Sequence, residues 1–114
     1  HVELVKLFVK AKADVNAKAD HGRTALISAA SQGNIELVQL LIDAKANVNA
    51  KDNTGNSALF EAAQKGHIEI LKLLIKSKAN VNAKNINDWT PIKIAQFADR
   101  PEVVEILQAA GATQ

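Results

Sequence analysis

The stretch GNIELVQLLIDAKANVNAK at residues 33–51 returns as GHIEILKLLIKSKANVNAK at residues 66–84, an offset of 33 residues with no insertion. A third copy, HVELVKLFVKAKADVNAK, fills residues 1–18, and a diverged fourth, DRPEVVEILQAAGATQ, starts at residue 99. A period of this size means one supersecondary unit written several times. Each unit buries its apolar face only against its neighbours, so the chain must stack its units into a solenoid.

The order within a unit is legible from local signals. Residues 19–23 read as a tight turn, in which Gly22 can take positive φ without steric cost. Thr24 is a good N-cap, residues 25–32 form a short helix of small residues, and Gly33 breaks it. A second helix is expected over 34–43, with Ile35, Leu37, Val38, Leu40, Leu41 and Ile42 apolar. The order recurs as turn 51–56, cap Ser57, helix 58–65, break Gly66 and helix 67–76. The last unit has turn 85–89, Thr90, a helix opened by Pro91, and a helix over 101–110. Helices this short are marginal alone, since isolated ones need about 12–15 residues. The pairs Ala29-Ala30 and Ala62-Ala63 suit close approach of the first helix to its neighbours.

These landmarks resemble the ankyrin repeat. The family's Thr-Pro-Leu-His segment falls on Thr24-Ala-Leu-Ile27, Ser57-Ala-Leu-Phe60 and Thr90-Pro-Ile-Lys93. Its paired alanines and following glycine match Ala29, Ala30 and Gly33, then Ala62, Ala63 and Gly66. Its Leu-Leu and Asn-Ala landmarks match Leu40-Leu41 with Asn49-Ala50, and Leu73-Leu74 with Asn82-Ala83. The resemblance implies an all-α ankyrin-repeat solenoid of stacked helix-turn-helix units with projecting β-turn loops. The chain is then one domain, 1–114: a partial repeat 1–18, full repeats 19–51 and 52–84, and a C-terminal repeat 85–114. Three departures stand out. The motif histidine, which braces the turn in the family, is Ile27, Phe60 and Lys93 here, so the bracing must be weaker or different. The glycine after the second helix is Lys12, Lys45 and Lys78, so either a lysine carries left-handed strain or the helix exit differs. Asp88 stands where the last turn would have glycine, and Asp tolerates positive φ better than most residues.

Composition narrows function. Apolar residues make up 47% and aromatics only 4%, so the core must be aliphatic. The 14 basic and 12 acidic residues leave a net charge of +2, a mixed surface rather than the positive block of a nucleic-acid binder. There is no cysteine, hence no disulfide or thiolate site; the redox compartment stays open, with a cytoplasmic setting the expectation. No apolar run approaches about 18 residues, so no membrane span is expected. A first residue of histidine predicts a natural start further upstream.

No constellation carries chemistry. Glu3, Glu36, Glu69 and Glu102 recur in register, but each falls in the first turn of a second helix, where it is expected to cap free N–H groups and complement the dipole. His1, His21 and His67 lack the convergent ligands of a zinc site. Neither an enzyme, a metal centre nor a cofactor is expected. Asn16, Asn49 and Asn82 are read as satisfying loop backbone; the resemblance also implies such asparagines as hydroxylation targets. Lys12, Lys45 and Lys78, with Lys18, Lys51 and Lys84, form a basic edge past the helix C-termini.

What varies between copies is where a partner would be read. By resemblance, the concave groove and turn tips are built from Asp20, His21, Arg23, Ser31 and Gln32 in one repeat. Asn53, Thr54, Asn56, Phe60, Gln64 and Lys65 follow in the next, and Asn87, Trp89 and Phe97 in the last. Turn tips carry little core, so Arg23, Asn56 and Trp89 are expected to be dispensable for folding. Trp89 should be exposed and, with Phe97, is either an anchor for a partner or a cover for the end of the stack. The expected function is non-catalytic protein binding; the alternative is a structural spacer within a longer array, with no partner of its own. Val2, Leu4, Val5, Phe8 and Val9 make an apolar end with no first helix before it, which predicts self-association there. At the far end Gln108 takes the place of Ile42 and Ile75.

Overall fold

A computed structural model describes residues 15–112. A single 3-10 turn, Asp20–Gly22, precedes three helix pairs. They are α1 (Ala25–Gln32) with α2 (Ile35–Asp43), α3 (Ala58–Lys65) with α4 (Ile68–Lys76), and α5 (Pro91–Phe97) with α6 (Pro101–Ala109). The expected ends are met within a residue. The expectations placed on Val2, Leu4, Val5, Phe8 and Val9, and on Glu3 and Lys12, lie outside the described residues.

Each first helix starts from a hydroxyl. Thr24, Ser57 and Thr90 accept from the backbone N–H of Ile27, Phe60 and Lys93 at 3.2, 3.3 and 3.3 Å. Such a bond satisfies a donor that has no partner within the helix. All three caps are buried, so their hydroxyls must be bonded to be tolerated there. Gly33 and Gly66 close α1 and α3 in left-handed geometry, at φ 79° and 75°. After α2 and α4 the same geometry falls on Lys45 and Lys78, at φ 73° and 74°. The helix exit of the family is therefore kept, and lysine carries the strain.

The units stack in two layers. α1, α3 and α5 lie side by side and pack far more closely than α2, α4 and α6 do. Alanine explains the difference: Ala29, Ala30, Ala62, Ala63 and Ala95 are all buried, and their small side chains let backbones approach. The core between the layers is aliphatic, with Leu26, Val38, Leu59, Leu71, Leu74, Ile92 and Leu107 fully buried. Gln108 is exposed on the last helix.

Turns are tied from unit to unit. Asn53 N–H donates to the His21 carbonyl at 2.8 Å, and one period later Ile86 N–H donates to the Thr54 carbonyl at 3.0 Å. The second and third turns are also braced from within. Asp52 Oδ1 accepts from the N–H of Thr54 and Asn56 at 2.9 and 3.0 Å; Asn85 Oδ1 accepts from Asn87 and Trp89 at 2.9 and 3.0 Å. These acceptors brace turns whose repeats lack the motif histidine. Ala19, in the same register, has no such side chain, and the first turn instead tightens into the 3-10 form with His21 at φ 65°. Asp88 takes φ 62° where a glycine was expected.

Candidate protein-binding surface

The face formed by the turn tips and the exposed side of the first helices carries most of the expected partner-binding residues. Asp20 and His21 are exposed on the first turn, Asn53 and Thr54 on the second, Asn87 on the third. Gln32 and Lys65 are exposed where α1 and α3 end, and Ser31 and Gln64 beside them are half-buried. Phe97, near the end of α5, is 76% exposed.

Four residues depart from expectation. Phe60 is only 5% exposed and packs in the core, so it cannot face a groove. It shares its register with Ile27, which is also buried, and its ring joins the core cluster instead of facing out. Arg23 is held by two carboxylates of the next repeat, Asp52 Oδ2 and Glu61 Oε1, both at 3.0 Å. Asn56 accepts from the Asn85 side chain at 3.1 Å. Both side chains belong to the stack, not to a dispensable turn tip. Trp89 is half-buried rather than exposed and packs against the core. Its ring meets Phe97 edge-to-face, with centroids 5.2 Å apart, and Lys93 Nζ lies 5.0 Å from the centre of its ring. A cation held over an indole face is attracted by the ring quadrupole.

Asp52 is electrostatically the most perturbed group on this face. Burial pushes its carboxyl up, but hydrogen bonds from the Thr54 hydroxyl and from the N–H of Asn56 and Thr54, with the charge of Arg23, outweigh that. The net effect holds it below its ordinary value of 3.8.

Some contacts were not anticipated from sequence. The Nε2 of His67 donates to the Ser31 carbonyl at 3.2 Å, and Arg100, one period later, donates through Nε to the Gln64 carbonyl at 3.2 Å. Both tie the start of a second helix to the end of the first helix of the preceding repeat. Their shared register was the available signal, concealed by the change of residue type. Glu36, Glu69 and Glu102 do sit in first turns of the second helices, but they do not cap them: Leu37 N–H is capped by Asn34 Oδ1 at 3.1 Å, and the starts of α4 and α6 have no side-chain cap bond. In those first turns their charge complements the helix dipole. Asn49 Oδ1 accepts from Asn80 N–H at 2.7 Å, and Asn16 Oδ1 likewise from Asn47 at 2.6 Å. Lys18 and Lys51 extend the basic edge by donating to the Lys51 and Lys84 carbonyls, each at 3.0 Å.

A family model described as ankyrin repeats (three copies) matches residues 1–85 and 47–114. The chain belongs to the ankyrin-repeat family. Ankyrin repeats are generally protein–protein interaction modules, and the family is typically non-catalytic. A comparison with curated proteins finds no significant match. Within the ankyrin frame, the first-helix ends and turn tips vary from copy to copy while the caps and alanines recur. Among the described residues, no helix is long and apolar enough to cross a membrane.

Proposed function

We propose that the chain is a non-catalytic binding module whose protein partner lies across the groove of first-helix ends and turn tips, where Gln32, Asn53, Lys65, Asn87 and Phe97 are exposed. The observation that carries this reading is Phe97. It is a large aromatic left 76% exposed, yet held edge-to-face against Trp89. A side chain positioned before association loses little freedom on binding, and buried aromatics are common interface anchors. The braces at Asp52 and Asn85 support the same reading, because they preorganise the tips beside it.

The test compares proteins recovered from a cell extract by the immobilised intact chain, by a Gln32→Ala/Lys65→Ala/Phe97→Ser variant, and by an outer-face Glu36→Lys/Glu69→Lys variant. The reading expects a partner lost with the first variant, at unchanged melting, and retained by the second. A partner lost only with the outer-face variant would overturn it. No partner at all would favour a spacer.

A further inference from the structure

The C-terminal turn has the same forward-facing groups as the two turns before it, with no following turn among the described residues to engage them. His21 and Thr54 give their carbonyls to the N–H of Asn53 and Ile86 in the next turn. Asn87 stands in the same register, is exposed, and accepts no backbone bond among the described residues. Arg23 and Asn56 send their side chains forward to the next repeat; Trp89, in their register, folds against Phe97 and under Lys93 instead. Lys93 pairs with no carboxylate among the described residues. Ile86, on the same turn, is 69% exposed.

We infer that this turn docks an extended acidic-apolar segment of the partner. The segment donates a backbone N–H to the Asn87 carbonyl, lays a large apolar side chain on Phe97 and Trp89, and sets a carboxylate against Lys93. This deepens the binding reading above and rests on it. The backbone bond repeats what the interior turns do for one another, and it resembles the addition of a strand to an open edge. The acid is called for by the ammonium of Lys93, which meets no carboxylate among the described residues, while Asp88 at the turn tip disfavours an acid at that end. The apolar side chain removes Phe97, 76% exposed, from water.

The test selects short peptides from a display library on the intact chain. The selected peptides are synthesised and titrated by the emission of Trp89, the only tryptophan. Expected are peptides pairing an acid with a large apolar residue, each shifting that emission. Phe97→Ser should weaken them about tenfold or more, the loss typical of a hot-spot truncation. Lys93→Gln should remove the preference for an acid, and N-methylation should weaken binding at one peptide nitrogen. Phe97 and Lys93 are exposed, so both variants should keep helicity and melting. Peptides indifferent to Phe97→Ser but lost with Gln32→Ala/Lys65→Ala would overturn this inference and leave the groove reading standing. Peptides lost only with Glu36→Lys/Glu69→Lys would overturn both. Failure to select any peptide would overturn the inference, as would a concentration-dependent dimer dissolved by Phe97→Ser, since the occupant would then be a second copy.

Discussion

Arg23 of one repeat donates to Glu61 of the next at 3.0 Å, and Glu61 is a carboxylate only 6% exposed, flanked on its helix by the buried Phe60 and Ala62. The same guanidinium holds Asp52 at 3.0 Å, so one side chain joins a turn, the following turn and the following helix. A buried carboxylate without its cation bears a desolvation penalty, and removing one partner exposes that penalty. Arg23→Ala should therefore destabilise the chain by about 1–3 kcal/mol. Lys65→Ala, at an exposed position, should stay within about 0.5 kcal/mol. Urea unfolding of both variants checks the contrast; equal midpoints would mean the ion pairs contribute nothing.

Asp52 predicts part of the acid sensitivity. Its folded value lies below the ordinary 3.8, so the folded state binds fewer protons than the unfolded state in that window. The stability it contributes is fully present above 3.8 and is lost as the pH falls through the lower folded value. Asp52→Asn should be less stable than the parent at neutral pH, and the gap should shrink in strong acid. Unfolding midpoints across the acid range measure this. A gap constant with pH would show that the charge plays no part.

Lys45 and Lys78 hold φ of 73° and 74°, a geometry that costs a side chain with a Cβ. Lys45→Gly and Lys78→Gly should each raise stability by roughly 0.5–1 kcal/mol, the relieved strain less the entropy of a freer unfolded chain. Thermal melts of the single and double variants would read the gain, which should be nearly additive. A lowered melting point in either single variant would refute it.

Gly33 carries two constraints at once. Its φ is 79°, and a Cβ there would meet the His67 ring at 2.8 Å, the ring that donates to Ser31. At Gly66 the obstacle is the flexible Arg100 side chain at 3.1 Å. Gly33→Ala should thus cost more than Gly66→Ala. Part of the cost should return in Gly33→Ala/His67→Ala, with a coupling of about 0.5–1.5 kcal/mol in a double-mutant cycle. Strict additivity would place the whole cost in backbone strain.

Leu41 and Leu74 lie 3% and 0% exposed in the core between the layers. Truncation of either to alanine should cost about 2–5 kcal/mol by removing contacts and leaving a cavity. With so few repeats, that loss should lower the melting midpoint by many degrees. A shift of a degree or two would mean the stack closes over the gap.

The repeat period, the caps Thr24, Ser57 and Thr90, the breaks at Gly33 and Gly66, and the stacking of helix pairs into a solenoid were all legible in the sequence, because each follows from contacts within a few residues or from strict register. The left-handed exits at Lys45 and Lys78 were legible as one of two alternatives, since a lysine at that position contradicts local preference. Phe60, Arg23, Asn56 and Trp89 were misread as open, because the fate of a side chain at a given register depends on what the next repeat offers it. Arg23, Asn56 and Trp89 occupy one register. The first found two carboxylates, the second an amide, and the third, with no described repeat beyond it, turned onto Phe97 and Lys93. Ile27, Phe60 and Lys93 share another register, and the first two are buried while the third stands exposed at the end of the stack. Local hydrogen bonding and periodicity determined the units; burial and pairing across a full repeat, which exist only once the units are stacked, decided which of their side chains remain open to a partner.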